Sequence, residues 1–357
     1  MATADERFSI DAYAFELPPE LVAQEPLLDR SGSRLLVLER RSGALRHHAF
    51  HDLPDLLVPG DLLVVNRSRV IPARLLGRRP GGGQAEVLLV RRREPDLWEA
   101  LVRPARRLPV GSVVEIAPGF RLRVEPPDES SSGRAAAGPL RRVRLLLDDL
   151  DPDTALERHG HVPLPPYIRR PDRPSDRARY QTVYAREAGS VAAPTAGLHF
   201  TPDVLERLAA RGIDTVELVL HVGPGTFRPV AVDDVRGHRV DPEPFSIPEA
   251  TAAAITRARR EGRRVVAVGT TTTRALETAA EPDGSPRAGD GETGLVILPG
   301  HRFRAVDVLL TNFHLPRSSL LLLVCAFAGR EKVLAAYAEA VRQRYRFYSY
   351  GDALLLT

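Results

Sequence analysis

Between residues 75 and 147 five short β-type runs follow one another: AEVLLVR, LWEALVR, SVVEIA, FRLRVE and RRVRLLL. Glycine and proline turns separate them at short, fairly regular intervals. That is the pattern of a small antiparallel barrel or sandwich. The longest break in the block, PPDESSSGRAAAGP, predicts a mobile loop. On both sides the character changes. RLLVLER and GDLLVVN before the block read as strands. After Pro152, TPDVLERLAARG has a threonine N-cap, proline in the first turn, apolar spacing of three and four and a closing glycine, which predicts a helix. VELVLHV, PEATAAAITRARREG, VVAVG and TTTRALETAA then alternate strand with helix, and LAAYAEAVRQRYRF adds a helical tail. The expected fold is α/β: a mixed or barrel-like α/β domain formed by residues 1–74 and 148–357, with a small antiparallel β-barrel of residues 75–147 inserted into it.

Composition removes several classes of function. A chain of 357 residues with 43% apolar content has room for two domains and a real core. The first residues, MATADERFSIDAYAFELP, lack the apolar run of a secretory signal. The most apolar segment, SLLLLVCAFAG, is too short to span a bilayer, which takes about 20 residues. Cys325 is the only cysteine, so neither an internal disulfide nor a cysteine-rich zinc site is available. A cytoplasmic protein with no metal and no membrane contact is expected. Of the 50 basic residues only Lys332 is lysine, and it lies on the polar side of a helical pattern. No glycine-rich loop ends in lysine, so P-loop and Schiff-base chemistry are disfavoured. The inserted block holds 14 arginines against 8 acids in a chain whose net charge is only +4. It presents either an ordinary solvated barrel surface or a surface for a phosphate backbone.

Four segments share one design: an apolar strand-like run, then a glycine- or proline-rich corner bearing hydroxyls, histidine or arginine. They are GSVAAPTAGLHFT, VLHVGPGTFRPV, VVAVGTTTTRALE and LLTNFHLPRSS. In α/β folds ligands bind at the carboxyl ends of strands, and glycine lets the backbone approach them closely. The corners present Thr195 and His199; His221, Gly223, Thr226, Phe227 and Arg228; Gly269, Thr270 and Arg274; and Asn312 and His314. Three of the ten histidines fall in such corners. The run from Gly269 to Arg274 stands between a strand and a helix, where amides favour a carboxylate or phosphate, though plain capping by threonine explains it equally.

The same segments carry a resemblance. The chain resembles the S-adenosylmethionine:tRNA ribosyltransferase-isomerases of queuosine biosynthesis. The matching pieces are AFELPPELVAQEPLLDRSGSRLLVL, GDLLVVNRSRVIPARL, HGHVPLPPYIRR, DRARYQTVYAREAGSVAAPTAGLHFT, LHVGPGTFRPV, VVAVGTTTTRALE, LLTNFHLPRSSLLLLVCAFAG and YRFYSYGDALLL, in family order over nearly the whole chain. The resemblance implies an α/β domain with an inserted barrel. It implies S-adenosylmethionine as a ribosyl donor, and as acceptor the aminomethyl group of a 7-deazaguanine at the wobble position of tRNA. Epoxyqueuosine in tRNA, adenine and methionine would be the products. Three positions depart from the family pattern: Ser68 for threonine, Asp241 for the second histidine near GHRVDPEPF, and Cys325 for serine.

That reaction sets requirements. The sulfonium acidifies the ribose C5′–H, so a base must take that proton. His199 or His221 is the expected base or acid. Glu243, with Asp307 next, is the carboxylate expected at the acceptor amine or the guanine-like edge. Arg228 and Arg274 would hold the methionine carboxylate or a tRNA phosphate. Thr195, Thr226 and Thr270 would bond ribose hydroxyls, and Tyr180, Phe200 or Phe227 would stack on an extruded base. A monomer is expected, although the sequence carries no direct sign of oligomeric state. A same-fold protein acting on another S-adenosyl compound or acceptor and a non-catalytic RNA-binding protein are the competing readings.

Overall fold

The computed structural model describes residues 6–127, 139–227 and 230–357, without the side chains of residues 226 and 227. Most of PPDESSSGRAAAGP, the loop expected to be mobile, lies outside the described residues, and so does Arg228.

The chain begins with β1 (Arg34–Leu38), β2 (Leu45–Ala49), the short helix α1 (Leu53–Leu56), β3 (Leu62–Asn66) and β4 (Ser68–Val70). It then enters six strands: β5 (Arg74–Arg78), β6 (Gln84–Arg92), β7 (Leu97–Arg103), β8 (Val113–Ala117), β9 (Phe120–Glu125) and β10 (Leu140–Leu147). These close into a barrel in the order β10-β7-β6-β5-β8-β9, every pairing antiparallel. Period-two alternation explains the closure. In β9 Phe120, Leu122 and Val124 are buried while Arg121 and Arg123 face solvent. Each such burial stabilises by about 1.5–3 kcal/mol. With Leu75, Val87, Trp98, Val102 and Val143 they form a core separate from that of the α/β part.

The chain leaves the barrel through α2 (Pro152–His159), α3 (Asp176–Arg179) and β11 (Glu187–Ser190), which forms a two-stranded sheet with β4. Helix α4 (Pro202–Ala210) follows, with Thr201 accepting from the Val204 amide as its sequence predicts. After it come β12 (Asp214–Leu220), β13 (Glu243–Ile247), α5 (Glu249–Arg260), β14 (Val265–Val268), α6 (Thr270–Ala279), β15 (Gly289–Thr293), β16 (Val308–Asn312), α7 (Ser319–Ala328), α8 (Arg330–Arg342) and β17 (Ala353–Leu356). Nine strands form one mixed sheet in the order β15-β13-β12-β3-β14-β16-β17-β1-β2. Its centre, β12-β3-β14-β16, is parallel.

All five residues of β3 are buried because both faces of the sheet are covered. Leu62 and Val64 pack in one core with Ile255 of α5, Leu276 of α6 and Tyr337 of α8. Leu63 and Val65 pack in another with Leu53 of α1 and Val204 and Leu208 of α4. The apolar run SLLLLVCAFAG is α7, a ten-residue helix buried in the first of these cores. No helix among the described residues is long and apolar enough to cross a membrane.

Candidate active site

Because β12, β3, β14 and β16 run parallel, their carboxyl ends lie along one edge of the sheet. All four corners of the sequence gather there. Thr195 and Ala196, Val222, Gly269 with Thr270 and Thr271, and Thr311, Asn312 and His314 line one small cavity of about 30 Å³. Backbone and hydroxyl bonds fix the first two corners to each other. The Val191 and Ala192 amides donate to the Val222 carbonyl at 3.0 and 3.2 Å, and the Val222 amide donates to Ser190 Oγ at 2.8 Å. The bare backbone has a use here. Gly269 has φ +93°, and a Cβ on it would point at Ala196 and Thr271 across the cavity.

Asn312 organises the cavity wall. Its Oδ1 accepts from Thr195 Oγ1 at 3.0 Å, and its Nδ2 lies 3.2 Å from both the Tyr348 carbonyl and His199 Nε2. An amide nitrogen can only donate, so His199 Nε2 is the acceptor and the ring proton sits on Nδ1. Nδ1 in turn lies 2.7 Å from Ser33 Oγ. The imidazole stacks on Phe50 with ring centres 5.0 Å apart. Burial, reinforced by Arg346 and Arg30, pushes its pKa down to about 3. Both ring nitrogens are engaged and the proton affinity is low, so the expectation of His199 as base or acid is corrected. Its Nε2 holds the Asn312 amide, whose Oδ1 accepts from Thr195. His314 resembles it: Nε2 pairs with Thr311 Oγ1 at 2.9 Å and burial lowers its pKa to about 3.

Val222 also lines a second, larger space of about 830 Å³ between the barrel and the α/β sheet. Its sheet side is built by Gly189, His221, Gly223, Asp241 and Glu243. Its barrel side includes Arg91, Arg92 and Trp98, and Arg69 of β4 stands beside them. His221 differs from His199. Its Nδ1 is buried with no hydrogen-bond partner. Burial lowers its pKa and Glu187 partly opposes this, so the ring is neutral near neutral pH. Gly189, with φ +142°, gives it room, since a Cβ there would stand 2.8 Å from the imidazole carbon Cε1.

Glu243 and Arg274 meet as a buried ion pair, Oε2 to Nη1 at 2.5 Å. Glu243 Oε1 also accepts from the Gly223 amide at 2.8 Å, which pins the second corner. Arg274 commits Nε to the Leu295 carbonyl at 2.9 Å and Nη2 to the Thr293 carbonyl at 3.3 Å. All three nitrogens are engaged, so the expectation that Arg274 grips a substrate anion is corrected: it braces Glu243.

Three further expectations fail on position. Asp307 lies at the opposite end of the sheet, where Oδ2 accepts from the Val265 amide at 2.8 Å and caps the start of β14. Tyr180 and Phe200 have no exposed surface, Tyr180 against Tyr350 and Phe200 against Phe50, so neither offers a ring face to a base. Thr226 and Phe227 belong to a short turn, Pro224–Phe227, whose backbone alone is described at those two positions. Thr270 and Gly223 line the cavity and the cleft respectively.

The structure adds residues that motif reading missed. The barrel wall of Arg91, Arg92 and Trp98 had only net charge as its signal. Tyr348 and Ser349, from the C-terminal segment YRFYSYGD, line the small cavity, and Tyr348 adopts φ +73°. Thr271 lines it too, with a buried hydroxyl lacking a partner.

A cavity at parallel strand ends, beside an interdomain cleft lined by three arginines and five carboxylates, is the place where α/β enzymes bind their small-molecule substrates. The chain belongs to the queuosine biosynthesis protein family, whose model matches residues 10–356. It is 53% identical to the S-adenosylmethionine:tRNA ribosyltransferase-isomerase of Moorella thermoacetica, over 97% of this chain and 99% of that protein. It is 52% identical to the protein of the same name from Thermus thermophilus, again over 97% and 99%. The crystal structure of the S-adenosylmethionine tRNA ribosyltransferase of Thermotoga maritima superposes with a TM-score of 0.54 at 37% identity, covering 97% of this chain and all of that one.

Proposed function

We propose that this protein is an S-adenosylmethionine:tRNA ribosyltransferase-isomerase. It transfers and isomerises the ribosyl group of S-adenosylmethionine onto the aminomethyl group of 7-aminomethyl-7-deazaguanine at the tRNA wobble position. Epoxyqueuosine in tRNA, adenine and methionine are released. Full-length similarity to proteins of that name supports the reading. The observation that carries it is Val222, which lines both the strand-end cavity and a cleft that holds three arginines and the His221 imidazole, whose buried Nδ1 has no partner.

In this reading the tRNA enters along the barrel wall, where Arg69, Arg91 and Arg92 exchange their partners Glu157, Glu292 and Asp153 for its phosphates. S-adenosylmethionine spans the cavity and the cleft. His221 takes the C5′ proton that the sulfonium has acidified, and the proton rests on the imidazole. Glu243, held by Arg274 and the Gly223 amide, fixes the loop that presents the donor and lies on the side from which the acceptor amine arrives.

The test incubates the protein with methyl-labelled S-adenosylmethionine and tRNA carrying the aminomethyl base. Free adenine should appear only with that tRNA, and the label should be recovered in methionine. His221→Ala should slow the single-turnover rate by about 10²–10⁴. Label in the tRNA, or adenine release that ignores the acceptor base, would refute the assignment.

A further inference from the structure

Helix α6 has ten residues, and its N-cap is Gly269, which supplies no capping side chain. The first amides of any helix have no intrahelical acceptor. Here they open on the small cavity, since Gly269, Thr270 and Thr271 all line it. Two of the four threonines of the first turn are already engaged. Thr272 Oγ1 donates to the Val268 carbonyl at 2.7 Å and Thr273 Oγ1 to the Gly269 carbonyl at 3.1 Å. Thr271 behaves differently. It is only 6% exposed, lines the cavity, and its Oγ1 has no partner. A buried hydroxyl left without a partner costs about 1–3 kcal/mol, so an acceptor arriving there is favoured.

Among the described residues the rest of the lining is uncharged. His314 is bonded to Thr311 and the Asn312 amide is committed to Tyr348 and His199. The helix N-terminus contributes positive potential to the cavity, which favours an anion. Arg274, at the same end of the helix, is tied to Glu243 and to two carbonyls and does not compete. The cavity of about 30 Å³ is the size of roughly two water spheres. That suits the two oxygens of a carboxylate and is cramped for a phosphate ester.

We propose that the N-terminus of α6 is a carboxylate subsite, in which the Thr271 hydroxyl and the first helix amides bind the amino-acid carboxylate of the donor. The assignment of that carboxylate to the methionyl end of S-adenosylmethionine rests on the function proposed above. The sulfonium then lies toward Val222, between this anchor and the cleft that holds His221.

Calorimetric titration of the whole protein, with an unmodified transcript of the acceptor tRNA present so that no turnover occurs, compares two ligands. These are S-adenosylmethionine and its decarboxylated form, which differ only by the carboxylate. The wild type should bind the first at least tenfold more tightly. Thr271→Val should bring the ratio close to one and leave the affinity for the decarboxylated ligand unchanged. Thr271→Ser, which keeps the hydroxyl, should restore most of the preference. Equal binding of both ligands by the wild type would overturn the subsite while leaving the proposed reaction intact. So would a Thr271→Val variant that weakens both ligands alike. Failure of both ligands to bind the wild type would instead overturn the proposed reaction, and the subsite with it.

Discussion

Removing the Glu243 carboxylate strands a guanidinium inside the protein. Glu243 and Arg274 expose only 6% and 7% of their side chains, and their contact is 2.5 Å. After Glu243→Ala, Arg274 keeps its bonds to Leu295 and Thr293, but its charge has no counterion. Breaking a buried pair from one side costs about 3–5 kcal/mol, mostly for the uncompensated charge left behind. The Gly223 amide also loses its acceptor, so the loop bearing the second corner loosens at the same time. Arg287 and Glu281 provide the control, with side chains 63% and 42% exposed. Glu281→Ala should cost less than about 1 kcal/mol. Urea unfolding followed by far-UV circular dichroism measures both. Fluorescence of Trp98, which belongs to the barrel core, shows whether the damage is confined to the α/β part. Replacing the pair by Leu and Met together should recover most of the loss, because no lone charge remains. A Glu243→Ala penalty no larger than that of Glu281→Ala would refute the reasoning, since it would mean that the pair is solvated.

Acid should weaken the fold through its two buried imidazoles. Burial brings His199 and His314 from 6.5 to about 3, so below pH 6.5 the unfolded chain takes up protons that the folded chain refuses until about 3. Their contribution is whole above pH 6.5 and falls by about 1.4 kcal/mol per ring for each pH unit toward 3. His314→Gln should flatten the measured dependence of unfolding free energy on pH by about that slope, and an unchanged slope would count against a buried neutral ring. On the barrel wall, Arg91→Gln with Arg92→Gln should weaken tRNA binding and reduce its log–log salt slope by about 1 to 2. Affinity for S-adenosylmethionine should not move, and an unaltered salt slope would place the RNA elsewhere.

The barrel was legible because its strands obey period two within themselves: FRLRVE shows its inside and outside in six letters. The four corners were legible for a similar reason, as each is a short, bare stretch directly after an apolar run. What the sequence could not show was which polar groups the fold would leave available. His199 and His221 sit in corners of the same design. The difference lies in Ser33, 166 residues from His199 in sequence, in Asn312, 113 residues away, and in the depth at which each ring comes to rest. Arg274 looks like an anion grip until Glu243, 31 residues earlier, is folded against it. Asp307 has the right charge at the wrong end of its strand, and strand direction is a property of the assembled sheet. Thr271 is one of four identical neighbours, and only helix phase separates it from Thr272 and Thr273.

Val222 lines both the strand-end cavity and the interdomain cleft. Its amide and carbonyl are both held by the segment that carries Thr195, so it cannot retreat from either chamber without dragging that segment along. With donor and acceptor placed as proposed, their kinetic constants would be yoked. A bulkier or slimmer residue at 222 would retune both at once, and natural drift at this position would have to satisfy two substrates in a single step.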